Sequence, residues 1–168
     1  MTTFNNSQVF LFNMIAEKYE NLATKRLVEM AIKLENDAYR AFLYYSEKVS
    51  EKDLQKVLQK IAMNEKMHIT MVKDLFRKRF RKDKWSLEDD YFHPFLDLNA
   101  HIEDDMKIIN NAIDFEIKAM KFYEILETRL AGIFREIVTY LRFFKEKHYF
   151  LLSLEKRKLE QKQKDSLS

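Results

Sequence analysis

Glu65 and His68 stand three residues apart in the segment 61–72, Ile-Ala-Met-Asn-Glu-Lys-Met-His-Ile-Thr-Met-Val. On a helix that spacing projects both side chains from one face. The face is otherwise apolar: Leu54, Leu58, Ile61, Val72 and Leu75 continue it in steps of four and three, a core-facing stripe. A carboxylate on such a stripe costs free energy unless a partner meets it. An inward Glu-x-x-His pair is suited to metal ligation, in which carboxylate and imidazole hold an ion between packed helices. One such pair arises by chance in any glutamate-rich helix. Its meaning depends on whether other segments supply matching ligands.

The elements that must position those ligands follow from composition. The 168 residues include one Gly, one Pro and no Cys. So few breakers predict long helices and argue against β-sheet or a glycine-rich nucleotide loop. The absence of Cys excludes disulfides, thiolate zinc sites and iron–sulfur or rubredoxin-type centres within the chain, and suits a reducing cytoplasm, the expected location. The N-terminus lacks the basic start and cleavage site of a signal peptide, and no apolar run reaches membrane-spanning length, so no membrane partner is expected. A net charge of +3 is too mild to indicate nucleic acid.

Periodicity then divides the chain. Residues 1–23 predict an arm or short helix, whose patch from Val9 to Ile15 would pack on the bundle or on a second subunit of a homodimer. The first long helix is predicted from about Thr24 to Val49, with the stripe Val28, Ala31, Glu35, Ala38, Phe42, Tyr45 and Val49. Ser50 suits the N-cap of the next helix, and so short a connection makes the two helices antiparallel. The second helix carries Glu65 and His68 and frays into a basic run at 77–84. We read that run as a solvated helix C-terminus, where cations suit the dipole, and not as a phosphate site. Residues 82–103 predict an ordered connection crossing the bundle, with Trp85, Tyr91, Phe92 and Phe95. His93 and His101 fall there, off any ligand spacing. The third helix, about 104–130, shows Ile109, Ala112, Glu116, Ala119, Tyr123, Leu126 and Leu130. Gly132 fits a left-handed turn. The fourth helix, from about Ile133, shows Phe134, Val138, Leu141, Lys145, His148 and Leu152. The bundle proper is thus 24–155, and 156–168 predict a polar helical tail that frays.

The two halves repeat each other. Ala31-Ile32 before Glu35 recurs as Ala112-Ile113 before Glu116, and His148 follows His68 at nearly the same offset. Each half is a helix with a central core Glu followed by a helix with a central core His. Aligned helices would bring Glu35, Glu65, His68, Glu116 and His148 into one layer.

This pattern resembles the ferritin-like superfamily, and the rubrerythrin branch in particular. The text Ala-Ile-Asp-Phe-Glu-Ile-Lys-Ala-Met-Lys-Phe-Tyr-Glu-Ile-Leu around Glu116 is similar to rubrerythrin third-helix sequence. The resemblance covers roughly 24–155. It implies an all-α, ferritin-like, up-down four-helix bundle with one long crossover between the second and third helices. It also implies a metal site of iron, one or two ions, with manganese or zinc compatible. The ligands would be Glu35, Glu65, His68, Glu116 and His148, with Tyr123 as a hydrogen-bond donor orienting a ligand carboxylate. The implied activity is that of an oxidoreductase of peroxidase or ferroxidase type acting on peroxide, oxygen or ferrous iron.

The chain departs from that family in ways that bear on function. Without a rubredoxin-type centre, electrons would come from another protein. Ala119 stands where an extra glutamate is common, and Phe42 stands where a tyrosine is expected. The fourth-helix motif reads Lys145-Glu146-Lys147-His148, with lysine three before the histidine in place of glutamate. On a regular helix Glu146 points about 200° away from His148, so Lys145 is the inward residue unless a π-bulge turns Glu146 in. Three glutamates balance Lys145 plus one divalent ion, or Lys145 plus two protonated histidines. The alternative to metal chemistry is a ferritin-like bundle that has lost catalysis and serves as an interaction or scaffold protein.

Overall fold

The computed structural model describes residues 6–80 and 104–166, with side chains described for Glu20 and for 22–80 and 104–166. The expected connection at 82–103, with Trp85, His93 and His101, lies outside the described residues, as does the basic run beyond Phe80. Four helices make up the fold: α1 (Asn6–Lys48), α2 (Lys52–Arg79), α3 (Asp105–Arg129) and α4 (Gly132–Asp165). No strand occurs among the described residues. This is an all-α, ferritin-like four-helix bundle.

Packing fixes the topology. α1 pairs with α2 and α3 with α4, while α1 against α3 and α2 against α4 close the square. The start of α3 is tied to the α1–α2 turn through Asp105, whose carboxylate accepts from the Ser50 amide (2.8 Å), the Ser50 hydroxyl (2.7 Å) and the Glu51 amide (2.8 Å). At the opposite end Phe80, closing α2, stacks on Phe134 near the start of α4 at 5.9 Å. The helix directions therefore run up, down, down, up. α2 ends and α3 begins at opposite ends of the bundle.

The apolar stripes are the core. Val28, Ala38 and Phe42 of α1, Leu54, Leu58 and Ile61 of α2, and their counterparts on α3 and α4 are buried. Each interrupting polar residue is buried with them. Alanines flank the glutamates of α1 and α3 (Ala31, Ala38, Ala112, Ala119), all nearly inaccessible. Small residues one turn either side of each Glu leave volume for long polar side chains in a core that tolerates few voids.

Two boundary expectations and one stripe position differ from the structure. α1 begins at Asn6, not near Thr24, so residues 6–23 continue the same helix. The reason is that nothing stops it: no Gly or Pro lies between Asn6 and Lys48. The polar helical tail expected after Glu155 is the last part of α4, which runs to Asp165, supported by Lys158 to a buried Glu155 (2.7 Å) and by Gln161 to Asp165 (2.8 Å). Glu51, not Ser50, caps α2, because Ser50 is engaged by Asp105. Leu75 is half-buried, on the flank of its stripe. Gly132 adopts φ 55°, the left-handed turn expected between α3 and α4.

Candidate metal centre

Each helix sends polar side chains into one layer near mid-bundle. Glu35 comes from α1, Glu65 and His68 from α2, Glu116 and Tyr123 from α3, and Lys145 and His148 from α4, and none is more than 3% exposed. They form two groups whose ligand-type atoms lie within 4.8 Å of one another: Glu35, Glu65 and His68, then Glu65, Glu116 and His148. Glu65 belongs to both.

The two groups differ in how their oxygens are satisfied. In the first, Glu35 Oε1 accepts from the Tyr123 hydroxyl, and His68 Nδ1 lies 3.1 Å from both Glu35 Oε2 and Glu65 Oε2. In the second, His148 Nδ1 lies 3.1 Å from Glu116 Oε1 and 3.0 Å from Glu65 Oε1, with the hydrogen bond directed at Glu116. Glu65 Oε1 and Glu116 Oε2 are the buried side-chain oxygens left without a hydrogen-bond partner among the described residues. Both belong to the second group. A buried carboxylate oxygen without a donor is costly, and two facing one imidazole form a donor set of the kind that takes a cation. The residues present therefore fit a metal ion.

Lys145 points inward with its ammonium inside the first group. Nζ lies 2.6 Å from Glu65 Oε2 and 3.2 and 3.3 Å from the two oxygens of Glu35. α4 is a regular α-helix through this turn, with no π-bulge. Glu146 is accordingly on the outside, where Arg142 donates to it at 2.6 Å and to Glu127 of α3 at 2.8 Å.

Burial and the crowd of charges shift every group. Burial pushes Glu35 up to about 7, with Glu65 adding and Lys145 and His68 opposing. For Glu65 burial acts the same way but is overcome by the Lys145 ammonium, by the neighbouring Glu35 carboxyl and by the two imidazoles beside it, which hold it well below the usual carboxylate range. Glu116 is raised, chiefly by burial. Burial would lower both imidazoles, yet the carboxylates win: Glu116 and Glu65 lift His148 to about 9, and Glu35 and Glu65 raise His68. Lys145 is raised despite burial because Glu35, Glu65 and Glu116 surround it. Burial and the adjacent Glu35 carry Tyr123 well above its ordinary value, so its hydroxyl remains a donor.

Several residues at the site are not marked in the sequence. Asn64 Nδ2 lies 3.2 Å from His148 Nε2. An amide can present either end. Turned round, its oxygen would accept from Nε2–H and leave Nδ1 as the free lone pair facing Glu65 and Glu116. Phe144 meets the His68 ring edge-on at 4.9 Å, and Tyr140 meets it at 6.2 Å. Asn64 sits beside the stripe of α2 and Phe144 beside that of α4, where periodicity carries no signal. A cavity of about 520 Å³ opens elsewhere, at the α3–α4 turn, lined by Thr24, Leu27, Arg79, Arg129, Gly132 and Phe134 among others. None of the clustered residues lines it.

A bundle with carboxylate–imidazole groups buried between its four helices is a ferritin-like fold with side chains that could hold a metal ion. Residues 26–102 match the family model described as Rubrerythrin, a span that carries Glu35, Glu65 and His68 but not Glu116, Lys145 or His148. Among solved structures, a hypothetical protein from Pyrococcus furiosus is similar, with a TM-score of 0.70 and 25% identity over 84% of this chain and 92% of that chain. No curated protein matches. Among the described residues no helix is long and apolar enough to cross a membrane.

Proposed function

We propose that the protein is a rubrerythrin-like metal-binding protein, with iron as the ion and redox chemistry on oxygen, peroxide or ferrous iron as its activity. The observation that carries this reading is the pair of buried Glu/His groups, with two oxygens lacking any donor in the second. Glu35, Glu65 and Glu116 would be the carboxylate ligands, and His68 and His148 the neutral nitrogen ligands. Iron suits that mixed set, as do manganese and zinc. Bound iron would supply electron exchange with an oxygen species. The chain's own part is to exclude water from the layer and to orient Glu35 through Tyr123 and His148 through Asn64. Electrons would come from a separate donor protein in the cytoplasm. A homodimer accords with the apolar surface that Phe143, Phe150 and Leu154 expose on α4.

The test is metal content together with the ultraviolet–visible spectrum after anaerobic ferrous loading and admission of air. Wild type should retain iron and develop a carboxylate-ligated ferric absorption. Glu65→Ala, which removes the carboxylate shared by both groups, should lose most of the iron while keeping its helical circular dichroism. Equal iron in wild type and variant would overturn the assignment.

One observation favours a second reading. Lys145 hydrogen-bonds into the cluster and, with two protonated histidines, neutralises three glutamates without metal. A bundle of that kind would be a scaffold, and wild type would then retain no metal.

A further inference from the structure

We propose that the Lys145 ammonium takes the place of one ion of a two-ion centre, so that the chain binds a single divalent transition-metal ion, held by Glu65, Glu116 and His148. The inference rests on the metal-binding reading above and narrows it to one half of the cluster.

The two halves are unequal in the features that decide occupancy. Lys145 Nζ bridges Glu35 and Glu65, the two carboxylates of the first group, at 3.2 and 2.6 Å. Those are hydrogen-bond distances, and the ammonium satisfies oxygens that an ion would otherwise need. Glu35 has no free oxygen: Tyr123 donates to one, while His68 and Lys145 meet the other. In the second group the reverse holds. Glu65 Oε1 and Glu116 Oε2 are buried with no donor, and His148 Nδ1 faces both carboxylates. Glu65 links the halves by giving Oε2 to the lysine and leaving Oε1 to an ion.

Charge agrees with geometry. Three carboxylates neutralise one ammonium and one divalent ion when both imidazoles are neutral, whereas a second divalent ion would leave an excess of two positive charges in a layer sealed from water. Such an excess is not sustained in a buried site. A tethered ammonium cannot dissociate, so the substitution is permanent. Bound at one position, a metal would exchange one electron at a time.

The experiment is equilibrium binding of cobalt(II), and of ferrous iron under anaerobic conditions, to the full chain, with ions per chain counted after dialysis. Wild type should hold one ion. Glu116→Ala and His148→Ala should lose it, and His68→Ala should keep it. Lys145→Met frees the first position and Lys145→Glu adds a ligand there, so both should rise to two ions, the second bound more tightly by the glutamate variant. Two ions in wild type would overturn the inference while leaving the metal reading intact. So would an ion lost with His68 and kept without Glu116, or Lys145 variants that gain nothing although their helical circular dichroism is native. Variants that bind where wild type binds none would show a lysine that excludes both ions, again overturning it. No ion in wild type or in any variant would instead sink the metal reading itself.

Discussion

The hydroxyl of Tyr123 holds Glu35 Oε1 in a site where the carboxylate and the ring are both fully buried. A hydrogen bond to a charged acceptor in such surroundings contributes more than a neutral one, and removing the donor strands the acceptor. Tyr123→Phe should therefore destabilise the metal-free protein by about 1.5–3 kcal/mol, read as a lowered urea midpoint with an unchanged denaturant slope. An unchanged midpoint would mean that Glu35 finds another donor. Lys145 belongs to the same scale. At an effective dielectric constant near 20, a monovalent and a divalent cation about 4 Å apart repel by roughly 8 kcal/mol, which is why one residue can set the number of ions. The inward direction of Lys145 was legible because it sits on the stripe Leu141, Lys145, His148, Leu152. That it would reach Glu35 and Glu65 and leave Glu116 Oε2 without a donor was not, since stripe position gives a direction and no distance. Asn64 was invisible for a different reason: it touches His148 across the α2–α4 boundary from a flanking position, and pairings between helices have no period in the sequence.

Helices were the more legible level. Steps of three and four placed the stripes of α1, α3 and α4 residue by residue, because burial on a helix follows its geometry. Their ends were less so. The sequence around Thr24 weakens in pattern, yet a change in amphipathicity does not stop a helix that lacks a breaker, and α1 continues from Asn6. The α1–α2 turn shows the converse, a local signal overridden by a distant partner. Ser50 is a good capping residue, but Asp105 from the far side of the crossover takes its hydroxyl and the amides of Ser50 and Glu51. Asp105 is also the first residue of α3, where a carboxylate suits the helix dipole. Asp105→Ala removes both roles. Since the freed amides are partly exposed and can turn to water, the expected cost is about 1–2 kcal/mol. Hydrogen exchange should show the loss as faster opening of the amides of the α1–α2 turn and of the first turn of α3, with the layer around Glu65 still protected. Uniform loss of protection across all four helices would show instead that the clasp nucleates the whole bundle.

For the molecule as a whole, the buried layer couples stability to pH in an uncommon direction. Burial lifts Glu35 to about 7 and raises Glu116, so above about 4.5 the unfolded chain has released protons that the folded one retains. Stability then falls as pH rises. His148 acts in the same sense: its contribution is complete below the ordinary value of 6.5 and is lost as pH climbs through about 9. That difference is on the order of 3 kcal/mol for His148 alone. His68 and Lys145, both raised, add at and beyond the alkaline end. Glu65 opposes them, because its lowered value removes stability only as pH falls below 4.5. Metal-free protein should therefore be most stable near pH 4.5 and lose stability as pH rises, with a melting temperature clearly lower at pH 9 than at pH 6. Bound metal would reverse the slope, since its ligands must be deprotonated and binding to the folded state would become stronger as pH rises. Paired thermal melts, with chelator and with cobalt(II), across pH 5 to 9 read both slopes at once. A chelated protein that gains stability toward pH 9 would rule out protonated histidines as the partners of Glu35, Glu65 and Glu116.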